Sequence, residues 1–110
     1  MGKIIYNKLV RDKIPEIIKQ DKAEPIIRIL EQEEYLKELF KKLGEEAREA
    51  AGAMANKKEL TKEIGDIYEI IDAIIDNCGL DKEEIIKLKN ERKIKRGGFE
   101  KKIFLESVNN

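Results

Sequence analysis

Two pairs of carboxylates, Glu46 with Glu49 and Glu63 with Asp66, have the residue types and spacing to hold a metal ion. Within each pair the acids stand i and i+3, which on a helix turning about 100° per residue puts them on one flank. Between the pairs the chain turns. Asn56 followed by Glu59 forms a capping pair in which the Asn side chain accepts a first-turn N–H and the Glu reaches back. Folding the chain about Asn56 sets Glu49 level with Glu63 and Glu46 level with Asp66. Glu45 points nearly opposite its apolar stripe. Four carboxylates beside an apolar seam raise one another's pKa, and desolvation adds to the effect unless a cation joins them. Oxygen-only ligands suit Mg²⁺, with Mn²⁺ as the alternative. The absence of His argues against a di-iron bundle built on Glu-x-x-His pairs. The competing reading is a solvated helix face, because 42% of the residues are charged and such spacing then arises by coincidence.

The elements that must position these acids are two helices folded against one another. Leu36, Leu39, Phe40, Leu43, Ala47, Ala50, Ala51 and Met54 recur at helical spacing, as do Leu60, Ile64, Ile67, Ile70, Ile71, Ile74 and Ile75. Asn77-Cys78-Gly79 stops the second helix. Asp81 with Glu84 then reads as the capping box of another helix, which Gly97-Gly98 breaks. An earlier helix has Asp12 as its candidate cap, Pro15 in its first turn and Ile14, Ile17 and Ile18 inside. Pro25 to Leu30 and Lys102 to Val108 are β-branched and short, so they are expected to pair as a small antiparallel ribbon. The expected fold is therefore an all-α helical bundle around a metal-binding hairpin, with a minor two-stranded β-ribbon, in a single domain over residues 1–110. The Ile-rich helix carries a stripe wider than one partner covers, which predicts a homodimer.

Charge excludes several classes. Twenty-three basic and twenty-three acidic residues cancel, so nothing draws the whole molecule to nucleic acid or an anionic membrane. Short apolar runs broken by Lys and Glu support neither a signal peptide nor a transmembrane helix. The lone Cys78 rules out an internal disulfide and fits a reducing cytoplasm. It reads as a small residue near a helix end, because no His is present to activate it as a nucleophile. Local basic clusters remain. Lys8, Arg11 and Lys13 precede the first helix, whose free N–H groups favour an anion, although on the residues alone ordinary solvated charge is the preferred explanation. Arg92, Lys95 and Arg96 complement the negative end of the last helix; the functional alternative is a grip on a triphosphate.

Beyond spacing, Glu45-Glu46-x-x-Glu49 followed by Glu63-x-x-Asp66 resembles the EExxE and ExxD motifs of the all-α nucleotide pyrophosphohydrolase superfamily, the MazG-like and phosphoribosyl-ATP pyrophosphohydrolase-like proteins. LGEEAREA is similar to the corresponding phosphoribosyl-ATP pyrophosphohydrolase segment. YNKLVRDKIPEII and KRGGF resemble the opening and close of a small standalone, house-cleaning branch. These stretches lie between Tyr6 and Phe99 and so are spread along most of the chain.

The resemblance implies a Mg²⁺-dependent enzyme that cleaves a nucleoside triphosphate to monophosphate and pyrophosphate. Glu46, Glu49, Glu63 and Asp66 would hold the metal. Glu45 would orient water or reach the site from a neighbouring subunit. The same resemblance favours Lys8 and Arg11 as substrate contacts over Lys13, and Lys95 and Arg96 over Arg92, with Phe99 packing or stacking on a base. It also points to a dimer. Two other classes stay open: a helical interaction module whose acids are merely solvated, and a metal-dependent phosphatase or transferase acting on another phosphorylated substrate.

Overall fold

Asn56 is the hinge about which the fold is built. In a computed structural model describing residues 2–109, its side chain accepts the backbone N–H of Glu59 at 3.1 Å and opens a long helix. Only half of the expected capping box forms. The Asn56 N–H donates to the Ala53 carbonyl at 2.9 Å, so Glu59 is not needed to satisfy it. Removing the cap leaves a first-turn donor unpaired. Asn56→Ala is therefore expected to cost about 1 kcal/mol in urea denaturation, and an unchanged midpoint would show that this cap does not stabilise the hairpin.

Among the described residues four helices follow in order: α1 Ile14–Gln20, α2 Gln32–Gly52, α3 Lys57–Asn77 and α4 Lys82–Arg96. The chain divides into two compact units, Met1–Cys78 and Gly79–Asn110. In the first, α2 and α3 form an antiparallel hairpin, packed through Leu39, Ile70 and Ile74. Leu9, Tyr35, Leu36, Leu43 and Ala73 close around them. The open end of the hairpin is tied by polar groups. Asn77 Nδ2 donates to the Ala73 carbonyl at 2.8 Å and to Tyr35 Oη at 3.3 Å, while Gln32 Nε2 donates to the Asn77 carbonyl at 3.3 Å. Tyr35 and Asn77 are equally distant from Asn56 in sequence, so this tie keeps the register that the hinge sets.

α1 departs from expectation at both ends. Asp12 is not its cap; Lys13 holds that position without a side-chain bond, and Pro15 in the first turn supplies the helical φ and removes one donor. At the far end Lys22 has φ 64°. Its N–H reaches the Lys19 carbonyl at 2.9 Å and that of Ala23 reaches the Ile18 carbonyl at 3.2 Å, the paired bonds of a Schellman ending usually given to Gly. In the second unit, Asp81 accepts the Glu83 N–H at 2.9 Å to start α4. Gly97 ends it with φ 86°, a backbone conformation that costs an L side chain dearly.

No strand occurs among the described residues, so the ribbon expected of 25–30 and 102–108 is not formed. A two-stranded ribbon is marginal unless one face is covered. Here Ile26, Ile29, Ile103 and Phe104 are all at least 80% exposed, so neither segment has a covered face. The helical stripes are likewise wider than their seam. Phe40, Met54 and Ile64, expected inside, are exposed. No helix among the described residues is long and apolar enough to cross a membrane.

Candidate metal centre

The seam of the α2–α3 hairpin closes over Ala50, Ile70, Ile74 and Ile75, all buried, and one ionisable residue is buried with them. Glu46 lies one helical turn before Ala50 and is only 8% exposed. From α3, Glu63 and Asp66 face it, so that one carboxylate oxygen from each of the three falls within 4.8 Å of the others. Helix geometry explains the convergence. Glu46 shares the buried side of α2 with Ala50, whose small side chain lets the helices approach, and Glu63 and Asp66 share a flank of α3.

Two oxygens of these carboxylates, Oε2 of Glu46 and Oε2 of Glu63, are shielded from solvent and accept no hydrogen bond from the protein. Buried acceptors without donors are costly, and two of them from facing helices costlier still. Burial pushes the Glu46 carboxyl up to about 7; the nearby Glu63 carboxyl, which favours a shared proton, and the charge of Glu49 act the same way, and Lys42 opposes them. Lys42 Nζ stands 3.8 Å from Glu46 Oε1 along the same helix. At the rim, Arg11 donates through Nη2 to Asp66 Oδ1 at 2.8 Å.

Of the sequence-derived ligands, Glu46, Glu63 and Asp66 come together. Glu49 is exposed and Glu45 half-buried, and neither contributes an oxygen to the convergence. Glu49 nonetheless lies close enough to act on Glu46. Arg11 reaches the acids themselves. Lys8 lies 5.6 Å from the Tyr6 ring centroid, a cation–π distance. Lys95 and Arg96 occupy the last turn of α4, fully within the second unit. Phe99 is almost wholly exposed. Sequence reasoning overlooked Lys42, although its i, i+4 spacing to Glu46 announces an ion pair.

A surface concavity of about 460 Å³, lined by Arg28, Ile29 and the start of α2, includes none of the three acids. It is an open surface where charges are already matched. Arg28 grips Glu34 with two bonds of 3.0 and 2.6 Å, which lowers the Glu34 pKa and raises that of Arg28, and Lys37 lies 3.4 Å from Glu33. The acid convergence is the stronger candidate, because its buried oxygens lack partners.

Its donor set is one that could hold a hard divalent cation. Three carboxylates supply oxygen donors only, the two orphaned oxygens supply the direction, and water can complete the coordination Mg²⁺ or Mn²⁺ requires. Comparisons with protein-family models, with curated proteins and with solved structures find no match for this chain.

Proposed function

We propose that the chain is a Mg²⁺-dependent nucleoside triphosphate pyrophosphohydrolase, with Mn²⁺ as an alternative ion, that releases a nucleoside monophosphate and pyrophosphate. One observation carries this reading above all. Three carboxylates from two helices converge within 4.8 Å, and two of their buried oxygens have no partner. The resemblance of Glu45-Glu46-x-x-Glu49 and Glu63-x-x-Asp66 to the all-α nucleotide pyrophosphohydrolase motifs supplies the substrate class.

When bound, the divalent ion supplies polarisation of phosphoryl oxygens and a lowered pKa for an attacking water. Glu46, Glu63 and Asp66 would hold it, with Glu49 beside them. Glu45 would orient the water, or meet the site of a neighbouring subunit. The remaining charge of a triphosphate needs cations, a role the resemblance gives to Lys8 and Arg11 of the first unit and, separately, to Lys95 and Arg96 of the second. A house-cleaning role on non-standard nucleotides, in the cytoplasm, follows from the resembled branch.

The same reading includes a homodimer. Phe40, Ile64 and Tyr68 are exposed on α2 and α3, outside the seam, and a second copy would cover them. Light scattering at micromolar concentration is expected to give twice the chain mass; a monomer mass would remove the dimer. The function itself is tested with a panel of nucleoside triphosphates, incubated with Mg²⁺ or Mn²⁺ and assayed for pyrophosphate. At least one should give monophosphate and pyrophosphate in equal amounts. If none does with either ion, the exposed apolar faces favour the helical interaction module instead.

A further inference from the structure

Two basic side chains already stand at the acid cluster, and they are held there differently. Lys42 is fixed by its helix, one turn before Glu46. Arg11 arrives from the segment before α1, 55 residues from its partner, and donates to Asp66 Oδ1 at 2.8 Å. Leu9 of that segment packs against the Leu39, Ile70 and Ile74 core. No residue of α1 is buried. The guanidinium is therefore tethered within reach of the acids without being locked onto them. Its ion pair is partly solvated, with side-chain exposures of 57% for Arg11 and 31% for Asp66. Such pairs hold weakly and exchange readily.

We propose that Arg11 is the resident counter-cation of the acid cluster: it neutralises Asp66 while no divalent ion is bound and leaves Asp66 when one is. This rests on the metal reading of the cluster, which has its own support in the nine-tenths buried Glu46 and its orphaned Oε2. The physical reason for exchange is repulsion. A guanidinium and a dication cannot share one carboxylate at about 4 Å without strong mutual repulsion in a partly desolvated site. One carboxylate holds the guanidinium, whereas three converge for the ion, so the ion prevails. Departure from Asp66 frees the Nη2 donor and leaves Arg11, still tethered by Leu9, beside the loaded site. There its fork suits a phosphate oxygen pair. Arg11 thereby becomes a positioning device that is offered to an anionic substrate only after the metal site is filled.

The test measures binding without turnover. Mn²⁺ affinity is determined by calorimetry, with no nucleotide present, for the wild type, Arg11→Ala, Asp66→Asn and the double variant. Arg11→Ala is expected to bind Mn²⁺ roughly two- to fivefold more tightly than wild type, the gain from deleting a weak competing cation. In the Asp66→Asn background the same change should give no gain. In parallel, the Arg11 Nε–Hε signal, followed by NMR during Mg²⁺ titration, should become more mobile as the site fills. Equal or weaker Mn²⁺ binding by Arg11→Ala, or an Arg11 signal that stays rigid at saturating Mg²⁺, would overturn the inference. If no variant binds either ion, the metal site and the exchange fall together. If binding and exchange behave as expected but no triphosphate is cleaved, only the pyrophosphohydrolase reading falls.

Discussion

Asp66→Asn is expected to abolish pyrophosphate release, lowering kcat/KM by at least roughly 100-fold, since a divalent ion contributes several kcal/mol of transition-state stabilisation and each 1.4 kcal/mol is tenfold. Asp66 gives one of three converging oxygens, and the amide that replaces it keeps the shape but loses the charge that attracts the ion. Folding should survive. The only protein partner described for the Asp66 carboxylate is the exposed Arg11, and such a pair contributes at most about 1 kcal/mol. Circular dichroism should therefore match the wild type while turnover is lost, and excess Mn²⁺ should restore part of it. Arg96→Ala provides the contrast. Its expected defect is a raised KM that added metal leaves unchanged, because a phosphate contact made equally in ground and transition states changes binding alone. Wild-type turnover in Asp66→Asn would remove this carboxylate from the mechanism.

The parts of this site that were legible in the sequence are those fixed by local rules. The Asn56 cap and two apolar periodicities determine the hairpin, and equal distance from Asn56 places Glu46 opposite Asp66, as the acid convergence requires. Depth within the seam was less legible. A rotation of about 100° per residue separates Glu49 from Ala50 on α2, enough to leave Glu49 in solvent while Glu46, a full turn from Ala50, is buried. The spacing rule that pairs 46 with 49 identifies a flank, and the width of the partner helix decides which member of the flank is covered. Arg11 shows a different limit. No periodicity links residues 55 apart, so nothing in the sequence signals that Arg11 donates to Asp66. Lys22 shows a third, since an L residue in a Schellman ending gives none of the Gly or Asn signal by which such endings are recognised. The ribbon failed for want of burial rather than of β-propensity.

In the metal-free protein the contribution of Glu46 to stability should grow as pH falls from 8 to 5, opposite to the usual direction for an ionised carboxylate. The Glu46 carboxyl titrates at about 7 in the folded chain against an ordinary value of 4.5. Between those values the folded state holds a proton that the unfolded state has released. The resulting stability is fully present below pH 4.5, declines as pH rises toward 7, and is absent above that. At 1.36 kcal/mol for each pH unit between the two values, the change amounts to about 3 kcal/mol. Other groups titrate over the same range, so the wild type alone does not isolate Glu46. Glu46→Gln does, because it is neutral at every pH and nearly the same size. In chelator, urea denaturation at pH 8 should show this variant more stable than wild type by up to about 3 kcal/mol, with the difference shrinking toward zero at pH 5. Divalent ion should reverse the order. The wild type gains the binding energy of a dication at three carboxylates, whereas the variant loses one ligand, so at pH 8 with excess Mn²⁺ the wild type should be the more stable of the two. Parallel pH curves for wild type and Glu46→Gln in chelator would show that Glu46 ionises freely and that the seam imposes no electrostatic cost. An inversion on adding metal, by contrast, would tie that cost directly to the ion that relieves it.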